Sequence, residues 1–93
     1  MSETALSKKI LDVVASIERG DLWTYWEVAE AAGCKNPRAV GHALKMTTRA
    51  VPWHRVTSAS GRLAPHLAEE QGELLRQEGH RIVNGRVAAA PAR

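Results

Sequence analysis

The chain has 93 residues, of which 44% are hydrophobic and 25% charged, with a formal net charge of +3; these values favour one small globular domain over residues 1–93. A single cysteine and four scattered histidines exclude an internal disulfide and argue against a metal site, so we expect no cofactor. Because there is no apolar run near ~18 residues and no signal-peptide pattern, a cytoplasmic protein without a membrane partner is expected.

A first helix is predicted over residues 3–18. Apolar residues recur there at the spacing of one helical face: Leu6, Ile10, Val13, Val14 and Ile17. Gly20, which follows Arg19, is the expected end of this helix.

Two short helices with clear start signals follow. Thr24 can cap the second helix, and Glu27, three residues later, completes a capping box. Gly33 is the expected end of that helix. Asn36 and Pro37 are typical of the cap and the first position of a third helix. The short glycine-containing turn between the two helices predicts a helix-turn-helix.

The second half of the chain predicts a loop, a fourth helix and a hairpin. Residues 47–63 are expected to be irregular, with Pro52 breaking any helix and a turn at Ser60–Gly61. The fourth helix is predicted over about 66–78. Two β-prone runs around Asn84–Gly85 predict a two-residue hairpin, after which the last residues, "AAAPAR", are expected to be frayed. The fold class is therefore mainly α, a winged helix-turn-helix domain with a small C-terminal β-hairpin.

Positive charges gather between the middle helices and the turn after them: Arg38, Lys45, Arg49, Arg55 and Arg62. This cluster is either a solvated basic face or a surface that binds nucleic acid. Arg38 lies in the first turn of the third helix, the helix that a helix-turn-helix presents to DNA, where a cation opposes the helix dipole. Gly41 lowers the propensity of the same helix, so we expect it to permit close approach of another backbone.

Residues 51–56 read "VPWHRV" and suggest either chemistry or recognition. Trp53 could be a core residue, but a Trp in a proline-constrained polar loop more often forms the wall of a site. Glu78 ends the apolar stripe of the fourth helix. It either reaches water or is buried, and a buried carboxylate needs a partner such as His54 or Arg55. A His held by an acid can activate a nucleophile, yet no nucleophile adjoins His54, and Cys34 belongs to the turn between two helices.

The segment "PWHRV" resembles "PCHRV", the active-site motif of the O6-alkylguanine-DNA alkyltransferases, with Trp53 at the position of the alkyl-accepting Cys. The segments "TYWEVAEAAG", "RAVGHAL" and "LLRQEG" are similar to that family's "TYGEIA", "RAVG" and "LL..EG" segments, in the same order. Trp26 replaces the usual Gly after Tyr25. The Trp form of the motif is typical of the alkyltransferase-like proteins, and the resemblance covers about residues 6–79.

The resemblance implies roles for residues of this chain. The residues expected to contact DNA are Tyr25, Arg38, Ala39, Gly41 and Lys45. A pocket for the flipped, damaged base is expected to be lined by Tyr25, Trp53, Val56, Arg62 and His66, with Val56 contributing its backbone. Arg38 matches an intercalating arginine finger, and the basic lesion-sensing position falls by count on His66, with Arg62 nearby. No catalytic residue is implied: His54, Arg55 and Glu78 match the relay that activates the missing Cys and would remain as a structural network.

We therefore expect a non-enzymatic, monomeric, nucleoid-associated protein that recognises DNA damage. It would bind O6-alkylguanine in duplex DNA, flip the base into the pocket and signal to nucleotide excision repair proteins. Two alternatives stay open. One is a winged-helix DNA-binding regulator without lesion preference. The other is an enzyme, either an alkyltransferase that uses Cys34 or a hydrolase that uses His54 and Glu78.

Overall fold

Helices dominate the computed structural model, which describes residues 4–88. The helices are α1 (Ala5–Ala15), α2 (Tyr25–Ala31), α3 (Pro37–Met46) and α4 (Ala68–Gln77), with 3-10 turns at Trp53–Arg55 and Pro65–Leu67. The strands are β1 (Trp23–Thr24), β2 (Val56–Thr57), β3 (Ile82–Val83) and β4 (Arg86–Val87). This arrangement confirms the mainly α, winged helix-turn-helix class with a small hairpin. In the described part, no helix is long and apolar enough to cross a membrane. The predicted fraying of the tail concerns residues 88–93. Ala88 is held, since its amide donates to the Arg81 carbonyl at 2.8 Å, and residues 89–93 lie outside the described residues.

Helix α1 is shorter than the predicted span of residues 3–18. Its first turn is capped by Thr4, whose hydroxyl oxygen accepts from the Ser7 amide at 3.0 Å. Its last turn tightens at Ser16, whose amide and hydroxyl both donate to the Val13 carbonyl. A serine that bonds its own preceding turn competes with helix continuation, so Ile17 is buried beyond the helix rather than within it. Gly20 is therefore not the end of α1, and lies in the connection that follows.

The two helices of the helix-turn-helix begin as predicted. Thr24 and Glu27 form a complete capping box, with bonds of 3.0 and 2.8 Å, at the start of α2. Gly33 follows the end of α2 at φ +78°, a left-handed conformation that glycine adopts without strain. The Asn36 side chain caps α3 by accepting from the Arg38 amide at 3.0 Å, and Pro37 is the first helical residue. Local capping therefore sets the short turn between the helices.

The region predicted to be irregular, residues 47–63, contains the short strand β2, which forms a parallel pair that the sequence did not indicate. Strand β2 pairs with β1 in the register Trp23↔Val56 and Thr24↔Thr57. Two-residue strands are too short to show an alternating pattern, so no periodicity signal exists for them. The predicted turn at Ser60–Gly61 is confirmed, since the Gly61 amide donates to the Ser58 carbonyl at 2.9 Å.

The hairpin and the fourth helix are confirmed. Asn84 and Gly85 both have positive φ, 52° and 75°, as a two-residue type I′ turn requires. The hairpin also holds the neighbouring loop. Leu63 donates its amide to the Gly85 carbonyl at 3.0 Å, and Val87 donates to the Gly61 carbonyl at 2.9 Å. The segment between Gly61 and Leu63 is thereby fixed along the edge of the hairpin.

The core consists of two clusters of buried side chains. The larger cluster joins α1, α2, α3 and β2, through Ile10, Leu11, Val14, Ile17, Val28, Ala29, Ala32, Val40, Ala43 and Val56. The smaller cluster joins the fourth helix to the hairpin through Leu22, Leu63, Leu75 and Val87. Full burial of an aliphatic side chain stabilises a fold by about 1.5–3 kcal/mol. The chain between Val56 and Leu63 passes from one cluster to the other, so both clusters anchor that loop.

Candidate base pocket and DNA-binding surface

An open cavity of about 640 Å³ lies between the helix-turn-helix and the loop that leads to α4. This volume is within the usual range of small-molecule sites, about 300–1,000 Å³. One side, which we call the helix wall, consists of Tyr25, Gly41, Leu44 and Lys45. The other side is formed by Trp53, by Ser58 and by the segment that we call the 62–67 loop. Glu70 of α4 lies at the edge of the same cavity.

Four of the five predicted pocket residues line this cavity: Tyr25, Trp53, Arg62 and His66. Val56 is not among the cavity-lining residues, and its side chain is fully buried in the larger cluster, because β2 pairs with β1 and turns that side chain into the core. The expected approach of its backbone to the base stays a prediction. Burial raises the pKa of the Tyr25 phenol, so at neutral pH its hydroxyl keeps its proton and can donate a hydrogen bond.

Trp53 faces the cavity because the chain makes a 3-10 turn at Trp53–Arg55, here called the Trp53 turn. The Arg55 amide donates to the Pro52 carbonyl at 3.1 Å, and the Val56 amide donates to the Trp53 carbonyl. Successive residues of a 3-10 turn point about 120° apart. The Trp53 and His54 rings are accordingly edge-to-face, with centroids 6.2 Å apart. The turn thus directs Trp53 into the cavity and His54 and Arg55 back toward α4.

Behind the Trp53 turn, Glu78 accepts hydrogen bonds from three groups. His54 Nε2 lies 2.6 Å from Glu78 Oε2, the Arg55 guanidinium spans both carboxylate oxygens at 2.9–3.0 Å, and the Gly20 amide donates to Oε1 at 2.9 Å. The Glu78 side chain is only 4% exposed. The structure therefore realises the alternative in which Glu78 is buried with partners, and not the one in which it reaches water.

The charge state of Glu78 follows from these contacts. Burial alone would raise the pKa of this carboxyl, but the bonds from Arg55, Gly20 and His54 outweigh it and lower the pKa to about 2. The carboxylate is thus ionised at neutral pH and can only accept hydrogen bonds. His54 must consequently carry a proton on Nε2. The pair holds the imidazole in one orientation behind Trp53.

The network around Glu78 extends to the connection between α1 and β1. Arg55 Nη1 donates to the Ile17 carbonyl at 2.7 Å, and Arg19 Nη2 donates to the Gln77 carbonyl at 2.7 Å. Neither Arg19 nor Gly20 was indicated as part of the site. Gly20 acts through its backbone amide, and Arg19 and Arg55 bond backbone carbonyls, which carry no residue-type signal, so these contacts could not be found in the sequence.

Gln71 of α4 is another buried polar residue, and it was also missed as a site residue. It is 1% exposed, and its amide bonds the backbone of His54, Val56 and Ala64. One signal was present in the sequence, namely a polar residue on the apolar face of the fourth helix, four residues after Leu67. A polar group buried in such a stripe must find partners.

The predicted basic cluster is only partly a free surface. Arg55 is largely buried against Glu78, so its inclusion in an exposed cluster was wrong, whereas Arg49 is exposed and pairs with Asp12 at 2.8 Å. Within residues 4–88, the other three cations of the cluster form no ion pair: Arg38, Lys45 and Arg62. Arg38 and Lys45 are exposed on α3, and Arg62 is exposed in the cavity wall.

The remaining residues assigned to DNA contact are Ala39 and Gly41 of α3. Ala39 is half-buried and packs against the larger cluster, while Gly41 lines the cavity. The expected close approach of another backbone to Gly41 is wrong for the protein alone, because a Cβ placed there would have no heavy atom within 4 Å. The glycine instead leaves open space on the helix wall.

Two residues with reactive or adhesive side chains lie outside the cavity. Cys34 is half-buried in the turn between α2 and α3, with its Sγ 3.6 Å from the Asn36 carbonyl oxygen. Trp26 is 47% exposed on α2. In the part of the chain that the structure describes, no group of three or more His, Cys, Asp or Glu residues could hold a metal ion.

The chain is similar to curated proteins of one family. The family model described as 6-O-methylguanine DNA methyltransferase, DNA binding domain, matches residues 5–80. The DNA base-flipping protein of Escherichia coli K12 is 35% identical over 81 residues, which are 78% of this chain and 61% of that protein. The methylated-DNA–protein-cysteine methyltransferase of Methanothermobacter thermautotrophicus is 42% identical over 60 residues, 62% of this chain and 34% of that protein. The chain thus matches between about a third and three fifths of the length of these relatives.

Solved structures give the same result. S. pombe Atl1, in complex with damaged DNA containing O6-carboxymethylguanine, superposes with a TM-score of 0.79 at 31% identity, over 89% of this chain and 83% of Atl1. The M. tuberculosis O6-methylguanine methyltransferase superposes with a TM-score of 0.75 at 30% identity, over 89% of this chain but 53% of that enzyme. The chain belongs to the 6-O-methylguanine DNA methyltransferase DNA-binding-domain family, as an alkyltransferase-like member with Trp53 in place of the active-site Cys.

Proposed function

We propose that the protein recognises DNA damage without repairing it. It binds duplex DNA that contains O6-alkylguanine, flips the damaged base into the cavity and holds it there. The observation that carries this proposal is the identity of the side chain at the position of the alkyl-accepting Cys. The hydrogen-bonded pair of His54 and Glu78 lies behind the cavity, next to Trp53. Trp53 cannot accept an alkyl group. The cavity-lining residues described above include no cysteine, so the alkyl group stays on the base.

The energetics of the site support base flipping. Extruding a base costs a few kcal/mol of unstacking, and the cost is smallest for a damaged base that pairs poorly. Stacking on an aromatic side chain returns about 1–3 kcal/mol per base, and Trp53 and Tyr25 offer such surfaces. Arg38 fills the space that the base leaves in the duplex. Lys45 contacts phosphates and supplies affinity that does not depend on sequence, whereas Arg62 faces the flipped base from the cavity wall, beside His66.

The relatives support the same proposal, and also a role for the bound complex. The E. coli relative is named a DNA base-flipping protein, and Atl1 is bound to DNA that contains O6-carboxymethylguanine. Because nothing is transferred from the base, the bound complex leaves the lesion unchanged and available to another protein. We propose that this complex, formed by a monomer at the nucleoid in the cytoplasm, marks the lesion for nucleotide excision repair proteins.

The test compares two duplexes that differ only in one O6-methylguanine. We expect the lesion duplex to bind more tightly, whereas equal affinity for the two would overturn the proposal and favour a winged-helix regulator. Mass spectrometry of the protein after incubation with the lesion duplex tests the absence of transfer. An added methyl mass, on Cys34 or elsewhere, would identify an alkyltransferase instead.

A further inference from the structure

Gln71 lies in the middle of α4, and its side chain is almost completely buried. Its Oε1 accepts from the Ala64 amide at 3.0 Å. Its Nε2 donates to the His54 carbonyl at 3.1 Å and to the Val56 carbonyl at 3.0 Å. Both hydrogens of the side-chain amide are therefore used, together with its oxygen. Such a fully satisfied polar group inside a core holds its partners in one geometry.

The partners of Gln71 belong to two different parts of the cavity. The carbonyls of His54 and Val56 lie on either side of Arg55 and fix the Trp53 turn. The amide of Ala64 belongs to the 62–67 loop, which also carries Arg62 and His66. The turn between these parts is closed at its base by Ser58, whose amide donates to the Arg62 carbonyl at 3.4 Å and whose hydroxyl oxygen accepts from the Arg62 amide at 3.1 Å. Beyond this base, the hydrogen bonds of residues 4–88 that join residues 53–57 to residues 63–67 all run through the buried side chain of Gln71.

This arrangement has a consequence for the fit of a base. Recognition by stacking and by hydrogen bonds requires that opposite parts of a pocket be held within about 0.5 Å of the productive geometry. From these contacts we infer that Gln71 is the positioning residue that sets the distance between the Trp53 turn and the 62–67 loop, and so determines how strongly the protein prefers a damaged base. This inference rests on the function proposed above. Gln71 itself contacts neither the base nor the DNA.

A merely structural role for Gln71 predicts a different result. If the side chain only stabilises the fold, its loss lowers the melting temperature and leaves the properties of the folded protein intact. If it sets the spacing of the cavity, its loss also lowers the ratio of the two dissociation constants, that for undamaged duplex over that for O6-methylguanine duplex. The affinity for undamaged duplex stays unchanged, because Arg38 and Lys45 lie on α3.

Two variants of near-equal size separate the bonds of Gln71. Gln71→Met removes all three bonds, whereas Gln71→Glu keeps an acceptor for the Ala64 amide and, as a carboxylate, loses both donors to the His54 and Val56 carbonyls. The matched control is Gln77→Met, an exposed glutamine of the same helix. Binding is measured well below each melting temperature. We expect both Gln71 variants to lower the ratio of the two dissociation constants at least about tenfold, since misplacement of a site by about 1 Å can cost about 100-fold. The Gln77→Met control should leave this ratio unchanged.

The same link can be cut from the other side without touching Gln71. Ala64→Pro removes the amide that donates to Oε1, and the backbone of Ala64 has φ −61°, which proline adopts without strain. The variant is therefore expected to fold even where Gln71→Met does not. If the proline acts by breaking the link, the double variant Ala64→Pro with Gln71→Glu should have about the same ratio of dissociation constants as whichever single variant has the lower ratio. If the proline ring acts only by occupying space in the cavity, the reductions of the ratio caused by the two substitutions should multiply.

The outcomes separate the inference from the proposed function. A wild-type protein that prefers the lesion, with variants of Gln71 and Ala64 that keep this preference, would overturn the inference alone and leave Gln71 a structural residue. A wild-type protein with equal affinity for both duplexes would overturn the proposed function, and with it the role of Gln71 in specificity. The inference is supported if the Gln71 and Ala64 variants lose the preference for the lesion duplex and keep their affinity for undamaged duplex. The double variant must also show no multiplied reduction of the ratio.

Discussion

The two sides of the cavity are built by different means. The loop side, made of the Trp53 turn and the 62–67 loop, has little regular structure and is held from behind by the buried polar groups of Glu78 and Gln71. The helix wall belongs to two capped helices that pack on the larger cluster, and it carries an exposed cation, Lys45. We propose that the loop side determines which base fits, and that the third helix, with Arg38 and Lys45, determines how tightly any duplex binds.

The difference predicts separate effects of substitution. A change behind the loop side removes one partner from a buried polar network, which is costly and cooperative. A change on α3 removes a solvated charge, which leaves the fold intact and alters only the attraction of phosphates. If variants of the loop side and of α3 changed stability and lesion preference to the same extent, the division of the cavity into two sides would be wrong.

The largest effect is expected for Glu78→Ala. It leaves the Arg55 guanidinium and the His54 imidazole, which are 16% and 13% exposed, without their common partner. Breaking one partner of a buried ion pair lowers the free energy of unfolding by about 3–5 kcal/mol, which urea denaturation measures. The control is Glu73→Ala, which removes an exposed carboxylate of α4 and should cost less than about 0.5 kcal/mol. Similar losses for both variants would show that the network behind the loop side contributes no special stability.

Acid should weaken the same network. The pKa of Glu78 is about 2 in the folded protein, below its ordinary value of 4.5. Between these values the unfolded chain binds more protons than the folded one, so this stabilisation is complete above about pH 4.5 and is lost as pH falls toward 2. The shift corresponds to roughly 3 kcal/mol. Unfolding measured from pH 6 to pH 2 should therefore show a steep loss of stability, and Glu78→Gln should flatten it; an unchanged slope would contradict the assignment.

The helix side of this comparison could be predicted from the sequence, because its signals are local. Thr24 with Glu27, and Asn36 with Pro37, fix the starts of α2 and α3 through contacts within four residues. The hairpin at Asn84–Gly85 depends on local backbone conformation in the same way. Each of these features therefore had a readable pattern.

The loop side could be predicted only where the family motif marked it. The pairing of His54 with Glu78 followed from "PWHRV" and from an acid at the end of an apolar stripe. The bonds of Glu78 to the Gly20 amide and of Gln71 to Ala64 join segments far apart in the chain, through backbone atoms that every residue has. The burial of Val56 depends on a two-residue strand pair. These features require the tertiary arrangement, which no local pattern contains.

Trp53→Ala should affect specificity more than stability. Trp53 lines the cavity and is only partly buried, so the fold does not depend on it as it does on Glu78. Loss of one stacking surface costs about 1–3 kcal/mol of binding to a flipped base, or roughly fivefold to 150-fold in affinity for the O6-methylguanine duplex. Affinity for undamaged duplex should hold. The control is Trp26→Ala, which removes an exposed Trp outside the cavity and should leave the ratio of the two affinities unchanged. Equal weakening on both duplexes would assign Trp53 to general DNA contact.

The smallest effect, and the one that tests the helix side directly, is expected for Arg38→Ala. Arg38 is exposed, and within the described residues its guanidinium forms no ion pair, so its removal should leave the melting temperature nearly unchanged. Binding to both duplexes should weaken, and the slope of log affinity against log salt should fall by about 1 if the guanidinium neutralises one phosphate. Lys9→Ala, an exposed cation of α1, provides the control and should change neither quantity. If Arg38→Ala lowered affinity for the lesion duplex alone, the finger would act in reading the base, and the helix side would share the specificity that we assign to the loop side.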